Sequence, residues 1–215
     1  MTFIQETLED PNFNGIEKTL VILCEEGEVE LEPAKFANYN VDIVTVDDEE
    51  ELTYEYLSLL EKEGEYDKVI IEYNGMWLLD NLYAALPPNW TVYQEMSFAD
   101  ARTFLTYNNN MRNLTVDKMK SPEMIVFKFF DHTMDQMDYH KVVRVINRRC
   151  QIIYEYGPDD IEIDDIEDPL PFDVNAPVIE IADRDYAIWF RDFAEDIKKY
   201  NGKTVKFKGI CGISK

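Results

Sequence analysis

Short β-rich runs alternate with longer segments of helical period through the first 157 residues of this chain. The runs share a high content of Val, Ile and aromatic residues and occupy residues 19–25, 41–47, 66–75, 89–96, 124–131 and 150–157. Strands that alternate with helices are typical of βαβ units, so the pattern predicts an α/β fold with a mainly parallel sheet flanked by helices. The second, third and fifth runs are nearly continuously apolar, as expected of strands covered on both faces.

Three segments predict helices around this sheet. Residues 51–64 place four apolar side chains on one face and end at Gly64, which fits a helix stop. Residues 98–119 predict a long, broken helix with Ser97 as its N-cap. Phe3, Ile4 and Leu8 predict an opening helix with no strand before it.

The composition changes after residue 157, where acidic residues and prolines interrupt any regular pattern. We therefore expect an α/β domain at 1–157, an acidic linker at 158–176 and the start of a small C-terminal domain at 177–215. Residues 177–215 predict a strand, a helix and a final strand that lacks a partner, which is typical of an incomplete domain.

The charge balance excludes some partners. Against 21 Lys and Arg stand 44 Asp and Glu, a formal net charge of -23, so nucleic acid and anionic membranes would be repelled. No run approaches the length of a membrane span and the N-terminus lacks a signal pattern, so we expect a cytoplasmic protein. The negative electrostatic field of the protein would attract divalent cations, although an acidic surface can also serve solubility alone.

Two strand ends carry candidate chemistry. The strand ending near residue 71 is followed by Glu72 and, three residues on, Gly75, at the edge where ligands bind open α/β sheets. A carboxylate there can hold Mg²⁺ and a glycine amide can approach a phosphate; the alternative is a solvated strand-end acid. Glu25 and Glu28 follow the first strand, and either would lie near Glu72, where two acids make a better cation site than one. The alternative for these acids is an exposed turn.

In order and spacing, these segments resemble the CobW-like P-loop GTPases, a family of metal chaperones and insertases. Residues 24–29, Cys-Glu-Glu-Gly-Glu-Val, are similar to the family's switch segment Asn-Glu-Phe-Gly-Glu-Val, and residues 72–75 are similar to its Glu-x-x-Gly. Asp100-Ala101 resembles the Asp-Ala after the next family strand, and residues 124–131 stand in the place of the guanine-reading strand. The resemblance covers roughly residues 1–155.

The resemblance implies a fold, cofactors and partners. It implies a P-loop NTPase-like sheet whose first strand and phosphate loop would lie before Met1, with GTP and Mg²⁺ as cofactors and hydrolysis coupled to metal handling. The partner of this chain would be a client metalloprotein or a divalent cation. Catalytic roles would fall to Glu72 and Gly75, cofactor binding to Thr2 and Asp131, and metal binding to Glu25 and Glu72.

This sequence departs from the family pattern in ways that favour a rival hypothesis. The base-reading Asn-Lys-x-Asp is replaced by residues 128–131, Lys-Phe-Phe-Asp, and the Cys-x-Cys-Cys metal motif is absent. Without the phosphate loop, tight GTP binding is not expected of this chain. The rival is a non-catalytic protein- or cation-binding module of the same fold. Residues 200–209 are similar to the opening strand of an OB-like barrel, and His132 and His140 are expected at the surface.

Overall fold

The computed structural model describes residues 2–24, 30–167 and 170–209. The chain divides into two compact units, one ending at Asp164 and the other beginning at Asp165. The first unit is α/β, with parallel-rich sheets flanked by helices, as the sequence predicts.

The first sheet has three parallel strands in the order β2-β1-β3. They are β1 at Thr19–Leu23, β2 at Val41–Thr45 and β3 at Lys68–Glu72. In register, Leu23 stands between Thr45 and Glu72, so the three strands end together. Every residue of β1 is buried because this central strand is covered on both faces.

Helices cover both faces of this sheet. Helix α1, Thr2–Glu9, places Ile4 and Leu8 in one cluster with Val21 and Leu23 of β1. Helices α2, Tyr54–Gly64, and α3, Leu79–Ala85, share a second hydrophobic cluster with the side chains on the opposite face of β1. Successive side chains of a strand point to opposite faces, so β1 anchors two separate cores.

The second sheet has four strands in the order β4-β5-β6-β7. They are β4 at Met96–Asp100, β5 at Met124–Lys128, β6 at Gln151–Gly157 and β7 at Asp160–Ile163, and only β7 is antiparallel to its neighbour. Helices α4, Ala101–Asn110, α5, Arg112–Met119, and α6, Gln136–Ile146, complete this part of the unit. Aromatic side chains dominate its core: Phe104, Phe127, Phe130, Tyr139 and Tyr154.

The structure differs from the sequence expectation at several boundaries. The fourth strand begins at Met96 rather than covering 89–96, and the N-cap of α4 is Asp100, whose carboxylate accepts from the Arg102 amide, rather than Ser97. The expected break in the 98–119 helix falls at Met111. Strand β7 lies inside the stretch expected to be linker, because Ile161 and Ile163 alternate with acids at strand period and the backbone pairs with β6.

Strands β3 and β4 are the end strands of their sheets, and within the described residues neither pairs with a strand on its outer side. Two helices nevertheless connect them. Helix α1 packs on the cluster that includes Ile70 of β3, while its Phe3 ring lies 5.3 Å from the Phe98 ring of β4. Lys118 of α5 donates to the Asn74 carbonyl just beyond β3, at 3.1 Å. Both strand edges therefore belong to one unit, and neither is paired by residues 2–24, 30–167 or 170–209.

The second unit contains β8, Val178–Glu180, helix α7, Tyr186–Glu195, and β9, Thr204–Lys206. The final strand was expected to lack a partner, but β9 pairs in parallel with β8, and Ile179, Trp189 and Tyr200 form a small core. No helix in residues 2–24, 30–167 and 170–209 is long and apolar enough to cross a membrane.

Candidate functional site

The carboxyl ends of β1 and β3 form the edge at which the sequence predicts ligand chemistry. The Cys24 amide donates to the Glu72 carbonyl at 2.9 Å, which extends the pairing of the two strands by one residue. Glu72 is half-buried, and its Oε2 atom is shielded from solvent. The predicted carboxylate therefore lies at the predicted strand end, in a protein environment rather than in open water.

The thiol beside Glu72 is held in its protonated form. Cys24 is 2% exposed, and burial together with the Glu72 carboxylate raises the pKa of its thiol to about 12. A thiolate is the form of cysteine that ligates metals, so this side chain is a poor metal ligand at neutral pH. Its residue type and position suit a small buried hydrophobe.

The loop after β3 is held by a carboxylate that the sequence analysis did not single out. Glu49 Oε1 accepts from Asn81 Nδ2 at 2.8 Å and from the Leu78 amide at 3.2 Å. The Tyr73 hydroxyl lies 3.4 Å from the same oxygen and donates to the Leu78 carbonyl at 2.8 Å. Burial first and Glu49 second raise the Tyr73 pKa. The available signal was the acidic run at 47–51, directly after the second predicted strand.

Helix α5 fixes the other side of this loop. The Lys118 ammonium lies 4.5 Å from the centre of the Tyr73 ring, in addition to its bond with the Asn74 carbonyl. Asp117 accepts from the Leu79 amide at 2.8 Å and pairs with Lys120 at 2.9 Å. The polar groups around β3's carboxyl end thus already serve the protein's own loop and helix ends.

Gly75 lies in the turn that follows β3. Asn74 Oδ1 accepts from the Met76 amide at 2.8 Å, which closes a side-chain turn around the glycine. A Cβ built on Gly75 would meet nothing within 4 Å, and its φ is not positive. Neither crowding nor backbone conformation therefore requires glycine at this position in this structure.

Three of the predicted residues cannot be placed as side chains. Glu25, predicted as a metal ligand, lies outside the described residues, as does Glu28. Thr2, predicted to bind the cofactor, begins α1, but its side chain also lies outside what the structure describes. The structure therefore places Glu72 and Gly75 together at one strand end and leaves the expected pairing of Glu25 with Glu72 as a prediction.

Asp131 lies in the loop that follows β5, a strand of the second sheet. Its carboxylate accepts from the backbone amide of Thr133 at 2.7 Å and from the Thr133 hydroxyl, and these bonds lower its pKa. Lys128, at the end of β5, pairs with Glu155 of β6 at 3.2 Å. The carboxylate expected to face a base is thus already an acceptor within its own loop.

His140 is buried, which contradicts the expected surface position. It is 2% exposed, and its Nδ1 lies 2.9 Å from Asp164 Oδ2. The same carboxylate accepts from Arg144 at 2.9 Å and from the Tyr154 hydroxyl at 3.0 Å. The cluster forms because α6 and the residue after β7 meet in the fold, a contact that local sequence spacing does not reveal.

The described residues supply few ligands for Mg²⁺ and GTP. Across residues 2–24, 30–167 and 170–209, no three His, Cys, Asp or Glu side chains are grouped to hold a metal ion. Of the groups near β3, Glu49 and Asp117 accept from backbone amides and the Cys24 thiol is protonated. Glu72 is the carboxylate that the sequence predicts as a ligand at this strand end. One shielded carboxylate does not fit a Mg²⁺·nucleotide site, which needs several oxygen ligands and a phosphate cradle.

Comparisons of this chain with protein-family models, with curated proteins and with solved structures found no match.

Proposed function

We propose that this chain is a GTPase-type α/β unit of the CobW-like kind whose parallel sheet takes up one further strand between β3 and β4. With that strand and its phosphate loop in place, the unit would couple GTP hydrolysis to metal handling for a metalloprotein client. Residues 2–209 alone would not bind GTP tightly. The observation that carries this proposal is the division of one α/β unit into two parallel-rich sheets, whose end strands β3 and β4 pair with no outer neighbour among the described residues.

The backbone geometry supports an additional strand. The Glu72 carbonyl accepts from the Cys24 amide at the end of β1, so the backbone groups of Glu72 point towards β1. Backbone direction alternates along a strand, so the backbone groups of Val69 and Ile71 point to the outer edge of β3. The Glu95 carbonyl accepts from Glu123 beside β5, so the backbone groups of Met96 and Phe98 point to the outer edge of β4. Unpaired strand edges are templates for another strand, and α1 and α5 already connect these two sheets.

The position of such a strand also suits the proposed chemistry. Its carboxyl end would lie beside Glu72, and a glycine-rich loop there would supply the amide cradle and lysine that the described residues lack. Glu72 and Gly75 would then face the phosphate end of the ligand, while Asp131 lies after a strand of the second sheet.

Titration calorimetry with GTP and Mg²⁺ tests the first part of the proposal. For this chain we expect no binding tighter than millimolar, because backbone amides and a lysine supply most phosphate ligands in P-loop enzymes. A micromolar dissociation constant would contradict the proposal.

The second part requires an added strand. An N-terminal extension that carries an apolar strand and a Gly-x-x-x-x-Gly-Lys-Ser loop is expected to give micromolar GTP affinity, and the same extension with Ala in place of its Lys should lose most of it. An extension that folds without gaining affinity would favour the rival function.

That rival is a non-catalytic module which uses the same open edges to take up a strand from a partner protein, or its acidic face to bind a cation. The Lys128–Glu155 ion pair favours it, because the base-reading position is occupied by an internal contact. Under this function, the extended chain would pair its strand but bind no nucleotide.

A further inference from the structure

Residues 91–94, Thr-Val-Tyr-Gln, form an exposed segment directly before β4. Tyr93 is 97% exposed and Val92 is 49% exposed, and the other two residues are exposed as well. From residue 90 to residue 95 the chain has no turn, no bend and no positive φ, so it runs as an extended strand would. Within the part of the chain that the structure describes, none of the four residues makes a hydrogen bond, an ion pair or a ring contact.

The composition of this segment is that of a strand rather than a loop. Thr, Val and Tyr are enriched in strands, whereas Gly, Pro, Asn, Asp and Ser dominate turns. For this reason the sequence predicts a strand over 89–96, although only Met96 of that run belongs to β4. The segment also has no charged side chain, in a chain of which 30% is charged. A short, uncharged stretch of this kind with an unpaired backbone is a typical site of strand pairing between chains.

The protein fixes both ends of the segment. Trp90 packs against the hydrophobic cluster that β1, α2 and α3 share, and its amide donates to the Pro87 carbonyl at 3.0 Å. At the other end, the Glu95 carboxylate accepts from the Ser121 hydroxyl at 2.8 Å and from the Tyr83 hydroxyl. Pairing a segment that is held at both ends costs less conformational entropy than pairing a free one.

We propose that residues 91–94 pair with the same residues of a second copy of this chain, as two antiparallel strands related by a two-fold axis. A second copy is favoured because the segment has no charge that would select a charged partner and none that would repel its own copy. The exposed end strand β7, by contrast, alternates Asp160 and Glu162 with isoleucines, so pairing it with itself would oppose carboxylates. This contact goes beyond the proposed function and depends neither on GTP nor on an added strand.

The direction of the backbone groups defines the register. The outward groups of β4 are those of Met96 and Phe98, and the same alternation along the extended chain turns the groups of Val92 and Gln94 to the outer edge. In an antiparallel pair, Val92 therefore bonds the partner's Gln94, which sets Tyr93 directly opposite the partner's Tyr93. Aromatic side chains opposite each other stabilise paired strands.

The turn at residues 87–90 limits the length of the pairing. In this register Trp90 stands opposite the partner's Met96, and the bond from its amide to the Pro87 carbonyl bends the chain at that point. The paired stretch therefore ends before β4 and leaves the outer edge of β4 to an added strand.

Sedimentation of the full chain at several concentrations tests the proposal. Four-residue strands bury little surface, so we expect a weak monomer–dimer equilibrium with a submillimolar dissociation constant. Each copy has a formal net charge of -23, and salt shortens the screening length from about 30 Å at 0.01 M to about 3 Å at 1 M. The dimer should therefore be about tenfold tighter or more at the higher salt concentration. A chain that stays monomeric there at millimolar concentration would overturn the proposal.

Substitution of Tyr93 separates pairing from folding. Because this exposed side chain has no partner among the described residues, Tyr93→Lys should leave the melting temperature unchanged. The same variant sets two ammonium groups opposite each other, so its dimer should be weaker by about tenfold or more. Tyr39→Lys changes the net charge equally, at another tyrosine that is 81% exposed, and should dimerise like the parent chain. Equal dimerisation of the two variants would overturn the assignment to this segment.

Cross-linking tests the register. The Cα atoms of directly opposite residues in a non-hydrogen-bonded antiparallel pair lie about 4.5 Å apart, within the range of a disulfide. In a chain that also carries Cys211→Ser, Tyr93→Cys should therefore give a covalent dimer on mild oxidation. Gln94→Cys should cross-link much more slowly, because its position is opposite the partner's Val92. Equal rates for the two variants would overturn the proposed pairing.

Discussion

Cys24 is a single residue whose titration reports on the carboxyl end of β1. Its pKa is raised from 9.0 to about 12 by burial and by Glu72, so between these values the folded state keeps a proton that the unfolded state has lost. This contribution to stability is complete below pH 9 and is lost as the pH rises towards 12. We expect the free energy of unfolding to fall by about 1 kcal/mol between pH 7 and pH 10 through this thiol alone.

Urea denaturation of Cys24→Ala at the two pH values checks this expectation. The variant should lose stability at both pH values through lost packing, but its pH-dependent loss should be smaller than that of the parent chain. Val46→Ala removes bulk from the same cluster without a titrating group and should keep the parent's pH dependence. Equal pH dependence in all three proteins would contradict the buried thiol.

Asp164 is the residue on which the first unit's buried polar cluster depends. Its side chain is 0% exposed and bonds His140, Arg144 and Tyr154. Asp164→Ala should destabilise the protein by about 3 kcal/mol, because it leaves a partly buried guanidinium without its counter-charge. Asp165→Ala, at the exposed neighbouring acid, should change stability by less than about 0.5 kcal/mol. Chemical denaturation of both variants decides between this role and a dispensable contact.

For single residues, the sequence predicts where a side chain lies along its strand or helix better than it predicts which groups the side chain contacts. Glu72 follows an apolar run, which is a local signal, and the structure places it at the strand end as predicted. The burial of His140 and the internal use of Asp131 depend on partners, and Asp164 lies 24 residues from His140. No spacing rule connects such residues before the fold brings them together.

Helix α2 shows how an element's end is set by conformation rather than by residue type alone. Gly64 was predicted as the stop, but it is the last helical residue, and the left-handed cap is Glu65 with a φ of 47°. Glu65→Gly should therefore raise the free energy of unfolding by about 1 kcal/mol. Gly64→Ala should lower it, because a Cβ at 64 would meet the Tyr66 ring. If the cap is at Glu65, thermal denaturation should show a higher melting temperature for Glu65→Gly and a lower one for Gly64→Ala. The opposite signs would place the cap at Gly64.

Most elements were visible in the sequence because hydrophobic period is a local property. The strands at β1, β2, β3, β5 and β6 fall within their predicted runs. The run at 89–96 was misleading, since its aromatic residues lie before β4 and the strand proper is Met96–Asp100. Helix α3, only 7 residues long, was not predicted, as short helices carry few repeats of their period.

For the molecule as a whole, the alternation of elements predicted the α/β class but not the division of its sheet. Which strands become neighbours depends on contacts distant in sequence, and the pairs β1–β2, β1–β3, β4–β5 and β5–β6 leave β3 and β4 as ends. The resemblance to CobW-like GTPases supplied an expectation for that place, a strand with a phosphate loop. The open edges carry the proposal independently of the residues in any one motif.

Hydrogen exchange measured residue by residue tests those edges most directly. The amides of Val69, Ile71 and Phe98 point to the outer sides of β3 and β4 and are expected to exchange at least about a hundredfold faster than the amides of Ile22 and Val126 at the strand centres. In the extended chain that carries the added strand, the same three amides should become protected. Protection of these amides in the chain alone, equal to that of Ile22, would show that the edges are already paired and would contradict the account.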